Sequence, residues 1–228
     1  QRVQYDAYRR KSLVDLFFDA DVSLDAVAAG SAGQLGDFVA GNYDARIRRN
    51  PDRIQVQLSR EGNAAGATVR LVKAITLSAG SSTLEIAYRL ENLPRDRRLH
   101  FAVELNFAGL PSGADDRYFY DASQRSLGQL GARLDLRDTA SLNLVDEWLG
   151  IDVGLRSSRP TSFWAFPVES VSQSEGGFEL VHQSVAVLPH WHVEPEADGS
   201  WSVMLHLSAD TSQAESRRRQ VAAAMAAT

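Results

Sequence analysis

The stretch Val69-Arg70-Leu71-Val72-Lys73-Ala74-Ile75-Thr76-Leu77-Ser78, followed by Ala79-Gly80-Ser81-Ser82 and then Thr83-Leu84-Glu85-Ile86-Ala87-Tyr88-Arg89-Leu90, decides the architecture of the chain. Val69, Leu71, Lys73, Ile75 and Leu77 fall at every second position, as do Leu84, Ile86, Tyr88 and Leu90 beyond the turn. A period of two puts alternate side chains on opposite faces of a strand, so each segment buries one face. The small polar turn between them closes a hairpin.

The same pattern extends in both directions. Upstream, Tyr43, Ala45 and Ile47 alternate before the turn Arg49-Asn50-Pro51-Asp52, and Ile54, Val56 and Leu58 alternate after it. Downstream come Phe101, Val103, Leu105 and Phe107, then shorter strands around Arg133–Leu136, Leu142–Val145 and Ile151–Leu155. Phe178, Leu180 and His182 alternate, and so do Val185 and Val187. Asp198-Gly199 is a strong hairpin signal and predicts that His190–Val193 pairs with Trp201–Leu207. Many short strands with polar turns predict an all-β fold, an antiparallel two-sheet sandwich. Asp25–Gly41 is loop-like with room for one short helix. Ser212 and Glu215 form a capping-box pattern ahead of an Ala-rich run. The expected organisation is a single β domain over residues 1–210 and a helical or frayed tail over residues 211–228. Arg217-Arg218-Arg219 in that tail reads as a solvated face.

Composition narrows the function. The 228 residues carry 24 Lys+Arg against 29 Asp+Glu, a formal charge of −5, which argues against a nucleic-acid binder. No cysteine is present, which excludes disulfides, thiolate zinc sites and Cys nucleophiles. No apolar run approaches the roughly 20 residues of a membrane span. The Gln1-Arg2 start is neither an initiator methionine nor an apolar-cored signal, so the chain reads as a piece of something longer. Glycine-rich phosphate loops, nucleophile elbows and zinc helices are missing, so no cofactor is expected.

Three places carry polar groups arranged for chemistry. In His190-Trp191-His192 the two imidazoles share one strand face and would need a third ligand to hold a metal. Glu104 and Asn106 share the opposite phase from Phe101, Val103, Leu105 and Phe107, so they lie on a wet concave face or on the polar exterior. From Phe163 to Glu179 aromatics, hydroxyls and carboxylates lead into Gly176-Gly177, a mixture suited to stacking on pyranose rings and bonding their hydroxyls. Asp115-Asp116 and Asp135 with Asp138 match no calcium-loop spacing.

Four segments, in order, resemble the C-terminal domain of the α-amylase/4-α-glucanotransferase group of glycoside hydrolase family 57. They are Tyr5-Asp6-Ala7-Tyr8-Arg9-Arg10-Lys11-Ser12-Leu13-Val14-Asp15-Leu16-Phe17, His100–Phe107, Leu144-Val145-Asp146-Glu147-Trp148, and Trp164–Glu179 with His182-Gln183 beyond. One departure is Leu16, which stands where the opening motif has His. The resemblance implies a galactose-mutarotase-like supersandwich from a retaining enzyme acting on α-1,4-glucans. It also implies that both catalytic acids belong to an N-terminal (β/α)-barrel of the same polypeptide and that none lies in this chain. Cytoplasmic location is expected from the family and the missing signals.

On that basis the carbohydrate-contact candidates are Glu104, Asn106, Asp146, Trp164, Ser172, Glu175 and Glu179, with an α-glucan and the barrel as partners. Two other readings stand beside it. One is a free-standing mutarotase-like epimerase using His100 or His182 with Glu179 as acid and base. The other is a docking module without any sugar site.

Overall fold

The computed structural model describes residues 7–174, 177–216 and 219. Its strands are β1 (Val14–Phe18), β2 (Asp44–Asn50), β3 (Arg53–Ala64), β4 (Ala67–Ser78), β5 (Thr83–Glu91), β6 (Leu99–Ala108), β7 (Arg117–Tyr120), β8 (Ser126–Gln129), β9 (Leu134–Asp146), β10 (Ile151–Ser174), β11 (Gly177–Val193) and β12 (Trp201–Asp210), with one short helix, α1 (Leu24–Ala28). The fold is all-β and every strand pairing is antiparallel. The hairpin expected over Val69–Leu90 is β4–β5, with Leu71 opposite Leu90 and Leu77 opposite Leu84. Gly80 adopts φ +72 in its turn, a left-handed conformation that a side chain would strain.

One hydrogen-bonded network folds into two facing sheets because two of its strands belong to both. β10 pairs with β12 through Asp152–Ser157 and with β11 from Ser162 onward. β9 follows it, pairing through residues 141–146 on the first side and 134–139 on the second, with register breaks between Arg156, Thr161 and Phe163. Pro160, which has no N–H to give a ladder, sits in this corner. Strands that change sheet at such irregularities are how sandwiches turn corners. The first sheet is β2-β3-β4-β5-β12 with the early part of β10, the late part of β9, β7 and β8. The second is β1-β6-β11 with the late part of β10 and the early part of β9.

The core lies between them. Phe17, Phe101, Val103, Leu105, Val187 and Trp191 from the second sheet meet Leu71, Ile86, Tyr88, Leu90, Trp201 and Leu205 from the first. Ring contacts cross the gap: Tyr88 to Phe101 at 5.7 Å, and Trp191 to Trp201 at 5.3 Å between centroids. The domain therefore carries a closed core of its own.

This core also explains the failure of the expected terminal hairpin. β11 and β12 do not pair: β11 lies between β10 and β6, and β12 between β10 and β5. The turn at Glu196–Gly199 forms, with the Gly199 N–H on the Glu196 carbonyl. The chain uses it to step from one sheet to the other, because Trp191 and Trp201 must face each other across the core.

A second apolar layer covers the outer face of the second sheet: Leu16, Phe18, Ala102, Trp164, Phe166, Ala186 and Leu188, capped by Val27 of α1. α1 starts where Ser23 Oγ accepts the Ala26 N–H and has Asp25 in its first turn. In the tail, residues 212–216 form a helical turn, but the cap is one residue earlier than expected. Thr211 Oγ1 donates to Glu215 Oε1 (3.2 Å), and Asp210 Oδ1 accepts the Ser212 N–H (2.8 Å). Arg219 pairs with Glu215; Arg217, Arg218 and the Ala-rich run beyond lie outside the described residues. Among the described residues no helix is long and apolar enough to cross a membrane.

Candidate functional site

Strand alternation puts Glu104 and Asn106 on the outer face of the second sheet, but that face is neither wet nor the polar exterior. The segment before β1 folds over it. Glu104 is completely buried. Tyr8 Oη donates to its Oε2 (2.5 Å), while Asn106 Nδ2 (2.6 Å) and Arg10 Nη1 (3.3 Å) bond Oε1. Asn106 Nδ2 also donates to the Lys11 carbonyl (2.9 Å), and Ser12 Oγ donates to the Asn106 carbonyl (3.2 Å). Tyr8, Arg10 and Ser12 are alternate residues of the opening motif, and Glu104 and Asn106 belong to the next one. Two motifs some ninety residues apart are thus the two halves of one clamp. A buried carboxylate is tolerable only with such partners.

The opening motif is held on its other side as well. Asp15 points into the core edge, where Lys73 Nζ donates to its Oδ2 at 2.7 Å and the Tyr43 hydroxyl donates at 2.5 Å. Both side chains of this pair are buried. Burial pushes the Asp15 carboxyl up, opposed by the Lys73 charge. The same burial, with the carboxylate charge beside them, pushes the Tyr43 and Tyr88 hydroxyls up. Leu16, at the position of the family's His, is fully buried in the outer apolar layer.

Beside the clamp a cavity of about 420 Å³ is lined by Arg10, Asn106, Phe166, Ser170, Gln183 and Ser184 among others. Gln183 Nε2 donates to Ser170 Oγ (2.9 Å), and Ser184 Oγ lies 3.4 Å from Asn106 Oδ1. Amides and hydroxyls that both donate and accept suit a hydroxyl-rich ligand.

Further along the same face three imidazoles meet. His100 Nδ1 lies 3.2 Å from the Asp19 carbonyl, and His100 Nε2 lies 2.9 Å from His190 Nδ1. A carbonyl only accepts, so His100 is protonated on Nδ1 and its Nε2 accepts from His190 Nδ1–H. His190 then presents a bare Nε2, which is buried and has no hydrogen-bond partner. His192 stacks on His100 at 4.5 Å and donates from Nε2 to the Ala20 carbonyl (3.1 Å). Burial lowers His100 to about 4, and burial together with the charges of His100, His192 and Arg137 lowers His190 to about 3. Both are neutral bases near pH 7, and the loop before α1 is pinned by His100 and His192 through the Asp19 and Ala20 carbonyls. No group of three His, Cys, Asp or Glu among the described residues has metal-holding geometry.

The remaining candidates scatter. Trp164 shares the outer face but is only 4% exposed; one face of its indole lies 3.9 Å from His190, and its Nε1 donates to Asp135 Oδ1 (3.2 Å). Asp146 is on the first sheet, wholly buried, accepting from Arg117 Nε (3.0 Å) and from the Leu149 N–H (2.8 Å). Trp148 beside it is 71% exposed. Ser172 and Glu179 are register partners near the end of the β10–β11 hairpin, and Glu175 lies outside the described residues.

The acid–base pairs considered for an epimerase do not assemble. His182 pairs with Glu169 and projects from one side of the hairpin, Glu179 from the other. His100 is level with His192, thirteen residues along β11 from Glu179, on the order of 40 Å of strand. Sequence reasoning missed Tyr8, Arg10 and Ser12 as the cover of Glu104. The available signal was their every-second-residue spacing, matching that of Glu104 and Asn106.

The sequence signature of the family described as "Alpha-amylase/4-alpha-glucanotransferase, C-terminal" matches residues 1–205. Alpha-amylase 1 of Dictyoglomus thermophilum is 26% identical over 204 residues, covering 86% of this chain and 28% of that protein. The 4-alpha-glucanotransferase of Thermococcus kodakarensis is 24% identical over 196 residues, covering 86% and 26%. The crystal structure of the 4-alpha-glucanotransferase from Thermococcus litoralis superposes with a TM-score of 0.69 at 23% identity, over 90% of this chain and 28% of that one. The chain thus spans about a quarter of the length of the relatives it matches.

Proposed function

Because the chain belongs to the α-amylase/4-α-glucanotransferase C-terminal family, we propose that it is the non-catalytic C-terminal domain of an enzyme acting on α-1,4-glucans. In this reading it holds a catalytic (β/α)-barrel of the same polypeptide in place and offers polar contacts to the glucan. The observation that carries the reading is the clamp on the opening motif. Glu104 and Asn106 fasten residues 8–12 to one side of the sandwich, and Asp15 with Lys73 fastens the next residues to the core. A segment tied at two points sets the direction from which a preceding domain joins. Of the charged groups nominated for sugar contact, Glu104 is spent on this fastening and Asp146 is buried against Arg117.

Glucan contact then falls to the cavity beside the clamp, at Asn106, Ser170, Gln183 and Ser184, with Ser172 and Glu179 further out on the hairpin; Glu175, also a candidate, lies outside the described residues. A cytosolic setting is part of the same reading. The test is to incubate the 228-residue chain with maltoheptaose and, separately, with freshly dissolved α-glucose. The expected result is no cleavage or transfer and no acceleration of mutarotation, with glucan turnover restored only when the barrel is present. Turnover of either substrate by the chain alone would overturn the proposal.

A further inference from the structure

The β10–β11 hairpin outruns the sheet that supports it. β6 stops pairing with β11 at Ala108 opposite Ser184, whereas β10 and β11 continue together to Ser174 and Gly177. Residues 169–174 and 177–182 therefore form a two-stranded ribbon beyond the sandwich. A ribbon of this kind is marginal in water by itself.

Its two sides differ. The register breaks between Val168 and Glu169, where Gln183 is the extra residue. Up to that point the odd residues of β11, Val185 and Val187, face the core. Beyond it the even residues take over, which brings Leu180 opposite Val171 and Phe178 opposite Gln173. Without the bulge, Leu180 and Phe178 would project from the other side to Val171. The result is a side carrying Val171, Leu180 and Phe178, with Gln173 opposite Phe178, that prolongs the core face, backed by a side bearing Ser170, Val181, Ser172 and Glu179. Phe178 is 67% and Leu180 55% exposed, so neither sheet covers them. The base of the ribbon is anchored to the rest of the domain by the His182 Nε2–H on the Leu110 carbonyl (2.9 Å).

We propose that the Val171–Leu180–Phe178 side of this ribbon is the surface that docks onto the catalytic domain of the same polypeptide. The occupant follows from size: about three quarters of each full-length relative lies outside the segment matched by this chain. An exposed apolar side beside a domain tethered through the same chain is the surface that domain covers. The assignment rests on the reading that such a domain is present, and adds where it sits.

Hydrogen exchange tests it on the full-length polypeptide, with the 228-residue chain as reference. Exchange at amides 171–173 and 178–181 is expected to slow about tenfold or more in the full-length protein. The double variant Phe178→Ser/Leu180→Ser is expected to return those amides to their rate in the isolated chain, with core amides and tryptophan fluorescence unchanged. If protection in the full-length protein appears on another face and not on the ribbon, the docking site is wrong while the buttressing role survives. If no face is protected, both fall. Protection that rises with concentration in the isolated chain would mean that a second copy occupies the ribbon, which also overturns the assignment.

Discussion

Strand β6 carries Phe101, Val103 and Leu105 on one side and His100, Glu104 and Asn106 on the other, and the residues from His100 to Leu105 are all buried, by different means. The inner side meets a complementary apolar sheet, so its stability comes from area and close packing. The outer side is covered by a strap of chain and a short helix, and its polar atoms are bonded one by one. Shape complementarity holds the first and hydrogen-bond stoichiometry the second, so each has its own way of failing.

The hardest blow to the contrast is Phe101→Ala. Removing a fully buried ring at the centre of the inner face is expected to cost about 3–5 kcal/mol in urea unfolding; a loss below 1 would mean the two sheets close without it. Acid separates the sides next. On the outer face His100 and His190 are neutral when folded, with His100 lowered to about 4 from an ordinary 6.5. The unfolded chain takes up the proton first, so stability falls as pH drops from about 6.5 through 4. The loss from His100 is on the order of 3 kcal/mol. Asp15, pushed up by burial, pulls the opposite way over the acid range. A His100→Gln variant isolates the imidazole contribution: its urea midpoint should change less with pH between 7 and 4.5 than that of the parent. Equal slopes would discharge the cluster.

Smaller still is the clamp. Tyr8→Phe or Glu104→Gln is expected to lower stability by about 1–3 kcal/mol, through loss of a charge-assisted bond to a buried carboxylate. Proteolysis at residues 8–12 should quicken in both variants, while the inner core stays intact by near-UV circular dichroism. At the bottom of the scale, Ser172→Ala and Glu179→Ala on the exposed hairpin are expected to stay within about 0.5 kcal/mol of the parent. A thermal scan that shows more would place the ribbon inside the folded unit instead of beyond it.

The inner face was legible in the sequence because period-two alternation is a local property. The phase slip between Phe178, Leu180, His182 and Val185, Val187 carried a signal of the bulge at Gln183 that the sequence reading did not draw. What could not be read is who covers whom. Lys73 stands in an apolar phase, and only the fold shows Asp15 waiting for it. Glu104 looked solvated because its cover, Tyr8 and Arg10, lies far away in sequence. The Asp198-Gly199 turn was right as a turn and wrong as a hairpin, since tertiary packing of Trp191 against Trp201 overrode the local preference for pairing neighbours.

Among the described residues β1 pairs only with β6, placing Val14 opposite Glu104. On the ribosome that strand emerges with Leu16, Phe17 and Phe18 bare, and its partner follows about ninety residues later. At ordinary elongation rates of 5–20 residues per second the wait is roughly 5–20 s. For that time the nascent chain displays an unpaired apolar strand, so β1 is made before every other strand of this sandwich yet is among the last of them to find its place.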